Sequence, residues 1–184
     1  MIGEEKMELW DLYTKDRENL GETMQRGAPH PAGKYRLVVH ICIFNSHGQM
    51  LIQQRQSTKF GWPNMWDISA SGSVIAGETS SDAAERELGE ELGLPISFIN
   101  RRPALTVHFP EGLGDVFVLE QDVDLSTLVL QEEEVQAVRW ADENEILRLI
   151  DEDRFIPYQP HFIGLLFYLR NHATLHIKPD LTRS

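Results

Sequence analysis

Three glutamates stand close together in the run Arg86-Glu87-Leu88-Gly89-Glu90-Glu91. On a helix, residues three and four apart share a face with Cβ atoms about 5 to 6 Å apart, so Glu87, Glu90 and Glu91 would converge. At about 100° per residue, Ala84, Leu88 and Leu92 form a neighbouring apolar stripe. One side of such a helix packs, and the adjacent side presents oxygen ligands. Clustered like charges weaken a helix by roughly a few tenths of a kcal/mol per pair unless a cation sits among them. Carboxylates suit hard ions such as Mg²⁺ or Mn²⁺, which keep several waters and bind phosphate oxygens beside one or two protein carboxylates. The chemistry in view is delivery of water to phosphorus. A solvated acidic helix face is the plain alternative.

The elements needed to position this segment can be read around it. A helix is expected over Ser81–Leu92, with Asp82 in the first turn and Gly93 as the stop. Tyr35–Phe44 reads as a strand, turned by Asn45-Ser46-His47-Gly48 into a second strand, Met50–Gln56, the two forming a buried hairpin at the sheet centre. Residues 61–66 form a loop, Asp67–Ala70 re-enters the sheet, and Gly72–Gly77 is a loop before the helix. Upstream, Met7–Tyr13 and Thr23–Gln25 flank a Gly-containing turn, Glu18–Glu22, and Gly27–Gly33 connects this hairpin to the core. Downstream, strands are expected at Ile96–His108, Asp115–Leu119 and Val135–Trp140, and helices at Glu143–Ile150 and Pro160–Arg170. Strands interspersed with helices indicate an α/β layered domain.

A chain of 184 residues supports one sizeable core and one domain spanning residues 1–184. Its formal net charge of -12 disfavours nucleic-acid binding, which draws on Lys and Arg, while bound divalent cations can supply the positive charge that a small phosphorylated ligand requires. Cys42 is the single cysteine, so no intrachain disulfide or multi-cysteine zinc site forms. Met1–Trp10 has no uninterrupted apolar run, and Phe162–Leu169 falls short of the roughly 20 residues of a membrane span. A cytoplasmic protein with no membrane partner is expected.

Residues Gly72–Leu94 resemble the Nudix box, G-x5-E-x7-R-E-U-x-E-E-x-G-U with U aliphatic, and every specified position is met. A chance match in a chain of this length has a probability on the order of 10⁻⁷. The resemblance implies an α/β/α sandwich with a central mixed β-sheet, with residues 34–150 as its core, residues 1–30 as an N-terminal extension and residues 157–173 as a C-terminal helix. It implies Mg²⁺ or Mn²⁺ at Glu87, Glu90 and Glu91, with a backbone carbonyl near Gly72 as a further ligand. It implies hydrolysis of a phosphoanhydride bond in a nucleoside di- or triphosphate, a nucleotide sugar or another organic diphosphate. Glu87 or Glu91 could assist as base, and outside the box Asp115, Glu120 and Glu134 are candidates, Glu134 first. Glu78 and Arg86 resemble the pair that fixes the box loop to its helix, and Gly93 the box glycine. A homodimer is a family-based expectation.

Trp10-Asp11-Leu12-Tyr13 and Gly61-Trp62-Pro63-Asn64-Met65-Trp66 resemble the branch related to isopentenyl-diphosphate isomerase. That reaction moves protons at carbon, and the isomerases use a cysteine just before the box glycine and metal-binding histidines at two further places. Here Ser71, Ser73 and Arg36 stand at those places, which favours hydrolysis. Arg55 and Lys59 align with residues that contact diphosphate in the isomerases and are the candidate substrate ligands. A non-catalytic sensor is a third reading, disfavoured by the intact carboxylates. Trp62, Trp66, Phe109 and Phe117 could stack a nucleobase, although core packing suits them as well. His30, His40 and His108 are expected to be structural or exposed. Substrate choice would fall to the segment Phe109–Gly114 and the N-terminal hairpin.

Overall fold

The computed structural model describes residues 8–171, along which the elements run β1 (Leu9–Tyr13), β2 (Asn19–Gln25), β3 (Arg36–Phe44), β4 (Met50–Arg55), β5 (Trp66–Asp67), β6 (Ala70–Ser73), α1 (Ser80–Leu92), β7 (Leu105–Phe109), β8 (Gly112–Glu120), β9 (Val135–Ala141), α2 (Glu143–Asp151) and α3 (Pro160–Leu169). Strand β3 is apolar on both faces, which requires cover on both. Leu37, Val39, Ile41 and Ile43 pack with Ala83, Ala84, Leu88 and Leu92 of α1. Cys42 and Phe44 pack with Ile146 and Leu149 of α2 and Ile163 and Leu166 of α3. The result is a sheet between helices, and it is mixed because β3 and β8 run parallel from Arg36↔Gly112 to Phe44↔Glu120.

Several elements differ from the sequence expectation. The β3–β4 hairpin touches only at Phe44↔Met50 and then splays. Strand β4 goes on to pair with β5 and β9, and β3 with β6 and β8. Ser69 stands in the wedge, its Oγ accepting from Ile43 N at 2.8 Å and donating to Leu51 O at 2.6 Å. One hydroxyl thus bridges two strands whose backbones no longer reach each other. Residues 66–73 form two short strands on different partners, so Gly72 lies in a strand and not at the start of a loop.

Residues 96–104 are irregular: Asn100 has φ 62°, and only Leu105–Phe109 pairs with β8. Ile96 and Phe98 are buried, Phe98 edge-on to Phe117 at 5.1 Å, so their hydrophobicity reflects core packing without a ladder. The segment Phe109–Gly114 is a tight hairpin closed by Phe109↔Gly112. Helix α3 ends at Leu169, and residues 172 and 173 of the expected helix lie outside the described residues, as does Met7 of the expected first strand.

The N-terminal turn spans residues 14–18 and not Glu18–Glu22; Thr14 Oγ1 accepts from Glu18 N at 3.1 Å and Arg17 takes the left-handed conformation. The hairpin docks against the segment after β6, Ala76 N donating to Leu9 O at 2.8 Å and Gly77 N to Asp11 Oδ2 at 2.9 Å. Among the described residues, no helix is long and apolar enough to cross a membrane.

Candidate active site

Helix α1 is fixed at both ends by local chemistry. Thr79 caps it, accepting from Asp82 N at 3.2 Å, while Asp82 accepts from Thr79 N at 2.9 Å. Gly93, at φ 63°, ends it with Gly93 N to Gly89 O and Leu94 N to Leu88 O, both 3.1 Å. With Ala83, Ala84, Leu88 and Leu92 in the core, the helix rotates Glu87 and Glu91 inward and leaves Glu90 outward. Glu91 is 6% exposed, whereas the Glu90 side chain is 54% exposed. The three carboxylates therefore do not share one environment.

Glu91 accepts from Gln53 Nε2 of β4 at 2.9 Å. Burial, reinforced by the charge of Glu87, pushes its carboxyl up to about 8 against that hydrogen bond. Burial likewise pushes Glu87 up to about 7, opposed by Arg86. Arg86 is the hub of the segment. It donates to Glu78 at 2.8 and 3.0 Å, to Glu87 at 2.8 Å, to Glu90 at 3.2 Å and to Ser73 O at 2.9 Å. Glu78 also accepts from Ile75 N at 3.2 Å, so the pair ties the loop before α1 to the helix. Gly72 is glycine because of close approach: a Cβ there would lie 1.9 Å from Glu87 Oε1.

A cavity of about 380 Å³ opens beside these groups. Its acidic lining is Glu8, Glu87, Glu90, Glu91 and Glu134, and its basic lining is Arg26, Arg36, Arg55, Lys59 and Arg86. Lys59 is ion-paired with Glu134. Arg55 lies 3.9 Å from the buried Asp67, donates to Gly61 O at 3.3 Å and has an unpartnered, buried Nε. Arg36 donates to Ser73 Oγ at 2.8 Å, its guanidinium 4.6 Å from the Trp10 ring and 5.7 Å from that of Phe109.

Among the described residues, no three His, Cys, Asp or Glu side chains are closed around a common metal position, since Arg86 engages Glu87 and Glu90. The donor set nevertheless fits a hard divalent ion. Two inward carboxylates line the cavity, the space a Cβ of Gly72 would fill is held open for one of them, and the buried Oε1 of Gln53 has no partner. Mg²⁺ commonly takes one or two carboxylates and completes its shell with water, which suits two acids better than a closed cage.

Of the three candidate bases outside the box, only Glu134 lines this cavity. Asp115 is fully buried and serves as a tie: Arg17 Nη1 and Thr106 Oγ1 each donate to Oδ1 at 2.7 Å, and Ser80 Oγ donates to Oδ2. Burial pushes its carboxyl up, but these donors together hold it below the usual range. Glu120 is exposed at the end of β8, outside the cavity lining. Trp66 and Phe117 are core residues, and Trp62 is half-exposed. The sequence reading missed Glu8, Trp10 and Arg26 as lining residues. Their signal was the hairpin register: with the turn at residues 14–18, Glu8 falls opposite Arg26, and the two side chains pair at 2.7 Å. At the isomerase positions, Ser71, Ser73 and Arg36 line the cavity, while Cys42 is fully buried, its thiol pushed far up by burial.

The comparisons with known proteins agree with this architecture. A family profile described as NUDIX domain matches residues 34–162. An uncharacterized Nudix hydrolase of Listeria monocytogenes is 48% identical over 170 residues, 92% of this chain and 99% of its own length. The isopentenyl-diphosphate Delta-isomerase of Shigella flexneri is 31% identical over 137 residues, covering 70% of this chain and 74% of its own. A Deinococcus radiodurans protein of known crystal structure superposes with a TM-score of 0.70 at 24% identity, covering 86% of this chain and 97% of that one, which bears on the fold. With the box complete on α1 and the profile spanning the sandwich around it, the chain belongs to the Nudix hydrolase family.

Proposed function

We propose that this chain hydrolyses a phosphoanhydride bond of a small organic diphosphate in the presence of Mg²⁺ or Mn²⁺. One observation carries the reading: the buried carboxylate of Glu91 and the half-buried one of Glu87 line the same cavity as Arg26, Arg36, Arg55 and Lys59. Carboxylates beside cations from separate elements suit a ligand that brings both metal and phosphate. Glu87, Glu91 and the more exposed Glu90 would hold the metal, with the Gly72 carbonyl as a further ligand. When bound, the ion supplies polarised phosphoryl oxygens and a more acidic water.

The side chains divide the remaining work. Arg55 and Lys59 grip the diphosphate, Arg55 with the Nε that lacks a partner and Lys59 by leaving its ion pair. Release of Lys59 frees the Glu134 carboxylate to accept a proton from the attacking water, in line with the leaving oxygen. Glu78 and Arg86 hold the loop and helix in register. Residues 1–184 would act as one cytoplasmic domain without a nucleic-acid partner.

A panel of organic diphosphates with Mg²⁺ or Mn²⁺, assayed separately for phosphate and pyrophosphate, tests it. Metal-dependent release that disappears in Glu91→Gln supports hydrolysis. Binding without release would favour a sensor. Efficient conversion of isopentenyl diphosphate to dimethylallyl diphosphate would favour an isomerase, a reaction for which the cavity offers Ser71 where the isomerases carry a thiol.

A further inference from the structure

Residues 66–73 cross the gap between the splayed strands, pairing with β4 at Trp66 and Asp67 and with β3 from Ala70 onward. Asp67 stands where the segment leaves β4, opposite Gln53, and is only 1% exposed. A carboxylate so deeply buried requires partners. Its Oδ1 accepts from Ile68 N at 2.8 Å and from the Tyr158 hydroxyl at 3.0 Å. Its Oδ2 lies 3.9 Å from Nη1 of Arg55, which lines the catalytic cavity. Neither Asp67 nor Tyr158 lines that cavity.

Both ends of this chain of contacts are fixed by backbone. At the Arg55 end, Arg55 N donates to Met65 O at 2.9 Å, and Gln136, which the β4–β9 register skips, donates to Arg55 O at 2.7 Å. A bulge of this kind re-aims a neighbouring side chain. Arg55 Nη2 donates to Gly61 O at 3.3 Å, in a loop where Gly61, Trp62 and Asn64 have φ of 80°, 53° and 62°. Such conformations are sparsely populated for residues other than glycine and persist only where the surroundings over-determine them. At the Tyr158 end, Ile156 N donates to Trp66 O at 2.9 Å, and the Phe155 ring meets that of Tyr158 edge-on at 6.2 Å. Between these two ends, Asp67 is the link.

Resting on the diphosphate reading above, we propose that Asp67 and Tyr158 are positioning residues: the Tyr158 hydroxyl holds the Asp67 carboxylate, and that carboxylate holds the Arg55 guanidinium where it meets the diphosphate. Stability alone does not account for the arrangement, since apolar side chains of similar volume stabilise a buried site at least as well as an ion pair. The spacing supplies the second argument. At 3.9 Å the carboxylate attracts the guanidinium without hydrogen-bonding it. Of the five N–H donors, the one on Nη2 that meets Gly61 O is engaged, and the buried Nε has no partner. A closer carboxylate would take a pair of donors in the geometry that a phosphate needs. Asp67 therefore fixes the direction of Arg55 and leaves its donors to the ligand.

The test is a double-mutant cycle on the affinity for imidodiphosphate, a diphosphate with a non-hydrolysable bridge, measured by titration calorimetry with Mg²⁺. Asp67→Asn and Tyr158→Phe each weaken binding about tenfold, and with a hydrolysed diphosphate they raise KM by a similar factor while kcat changes less than about threefold. In an Arg55→Gln background, which has no guanidinium to aim, the same substitutions change affinity by less than about twofold. A purely structural role would lower Tm with or without Arg55 and leave the affinity of the folded protein where it was. Should Asp67→Asn fail to fold, Tyr158→Phe, which removes a single oxygen, carries the cycle. The proposal is overturned if the folded variants bind imidodiphosphate as the parent does, or if their losses add fully to that of Arg55→Gln. An Arg55→Gln protein with unchanged affinity would overturn it as well, by removing Arg55 from diphosphate binding. The expected cycle without metal-dependent phosphate release from any diphosphate would remove the hydrolase reading and leave the positioning of Arg55 standing.

Discussion

Gly72→Ala isolates what one missing carbon does for the site. The added Cβ would lie 2.0 Å from Glu87 Cδ and 1.9 Å from Oε1, where ordinary contact begins at 3.4 Å. The carboxylate must therefore retreat by roughly 1.5 Å, the shift that restores van der Waals separation. The obstacle is the end of a flexible side chain, so the fold can yield. The retreat gives up the Arg86–Glu87 bond, about 1 kcal/mol for a partly exposed pair, while alanine recovers about 0.4 to 1 kcal/mol through the unfolded chain. Stability should change by less than about 1 kcal/mol. Function should not survive equally, because a misplacement of about 1 Å in a reacting constellation costs on the order of 10²-fold. Thermal unfolding, steady-state kinetics and Mn²⁺ titration by electron paramagnetic resonance would be read on the same sample. A near-unchanged Tm with kcat/KM down about 10²-fold and weaker Mn²⁺ binding is expected. Turnover within threefold of the parent protein would show that the position of Glu87 does not matter, and an unfolded variant would show that the contact is not with a yielding side chain.

Metal-free protein should lose stability as pH rises from about 5 to 8. Glu87 and Glu91 are pushed up to about 7 and 8, so the folded state holds protons that the unfolded state releases near the ordinary 4.5. Melting in chelator across that range should show the decline, and Mg²⁺ added at pH 7 should reverse it while releasing protons, measurable by titration calorimetry in two buffers; a Tm rising toward pH 8 would contradict this. Asp115→Asn should cost about 3 kcal/mol at pH 7, the low end for a broken buried pair because Arg17 is 40% exposed. Since the Asp115 carboxyl is held below its unfolded value, the contribution is present above about pH 4 and fades as pH falls through the folded value. Denaturant melts of both proteins at pH 7 and pH 3 should therefore converge at the lower pH. Arg55→Glu should raise KM at least about tenfold with the fold intact by circular dichroism, because it places a carboxylate against the diphosphate; unchanged kinetics would remove Arg55 from substrate binding.

What could be read from the sequence follows from the range of the interactions involved. Helix α1 was open to view because Asp82 in its first turn, its apolar stripe and its stop at Gly93 all lie within one short segment of sequence. Strand β3 was equally plain, since burial on both faces leaves a run rich in Val and Ile that only His40 interrupts. The splaying of β3 from β4 was not, because it depends on Ser69, whose hydroxyl reaches partners 26 and 18 residues away. Residues 96–104 mislead for a related reason: Phe98 is as hydrophobic as a strand residue, yet it packs on Phe117 with no ladder beside it. In the cavity, the box residues came as one local motif, whereas Glu8, Trp10 and Arg26 arrive by docking of a hairpin through Leu9 and Ala76. Asp115 and Glu134 are the sharpest case. Both are acids in the strand-rich second half, and only the tertiary fold tells that one meets Arg17 and the other faces a cavity.

The overall charge of -12 acquires a meaning from the cavity that composition alone could not supply. Five of the 17 Lys and Arg residues line one cavity of about 380 Å³, drawn from the turn after β2, β3, β4, the loop after β4 and α1. They stand beside five carboxylates, so with every group ionised the lining carries no net formal charge. A diphosphate arriving alone would disturb that balance, and so would a divalent cation alone. Arriving together they nearly cancel, and each gains partners of opposite sign within a few ångströms, where protein walls weaken the screening of solvent. Under the function proposed above, the acidic exterior would repel long polyanions, while a small phosphate-metal pair would find partners in the cavity. On that proposal, selectivity for size and selectivity for metal would arise from one arrangement: opposed charges held at fixed positions, each set insufficient without the ligand that completes it.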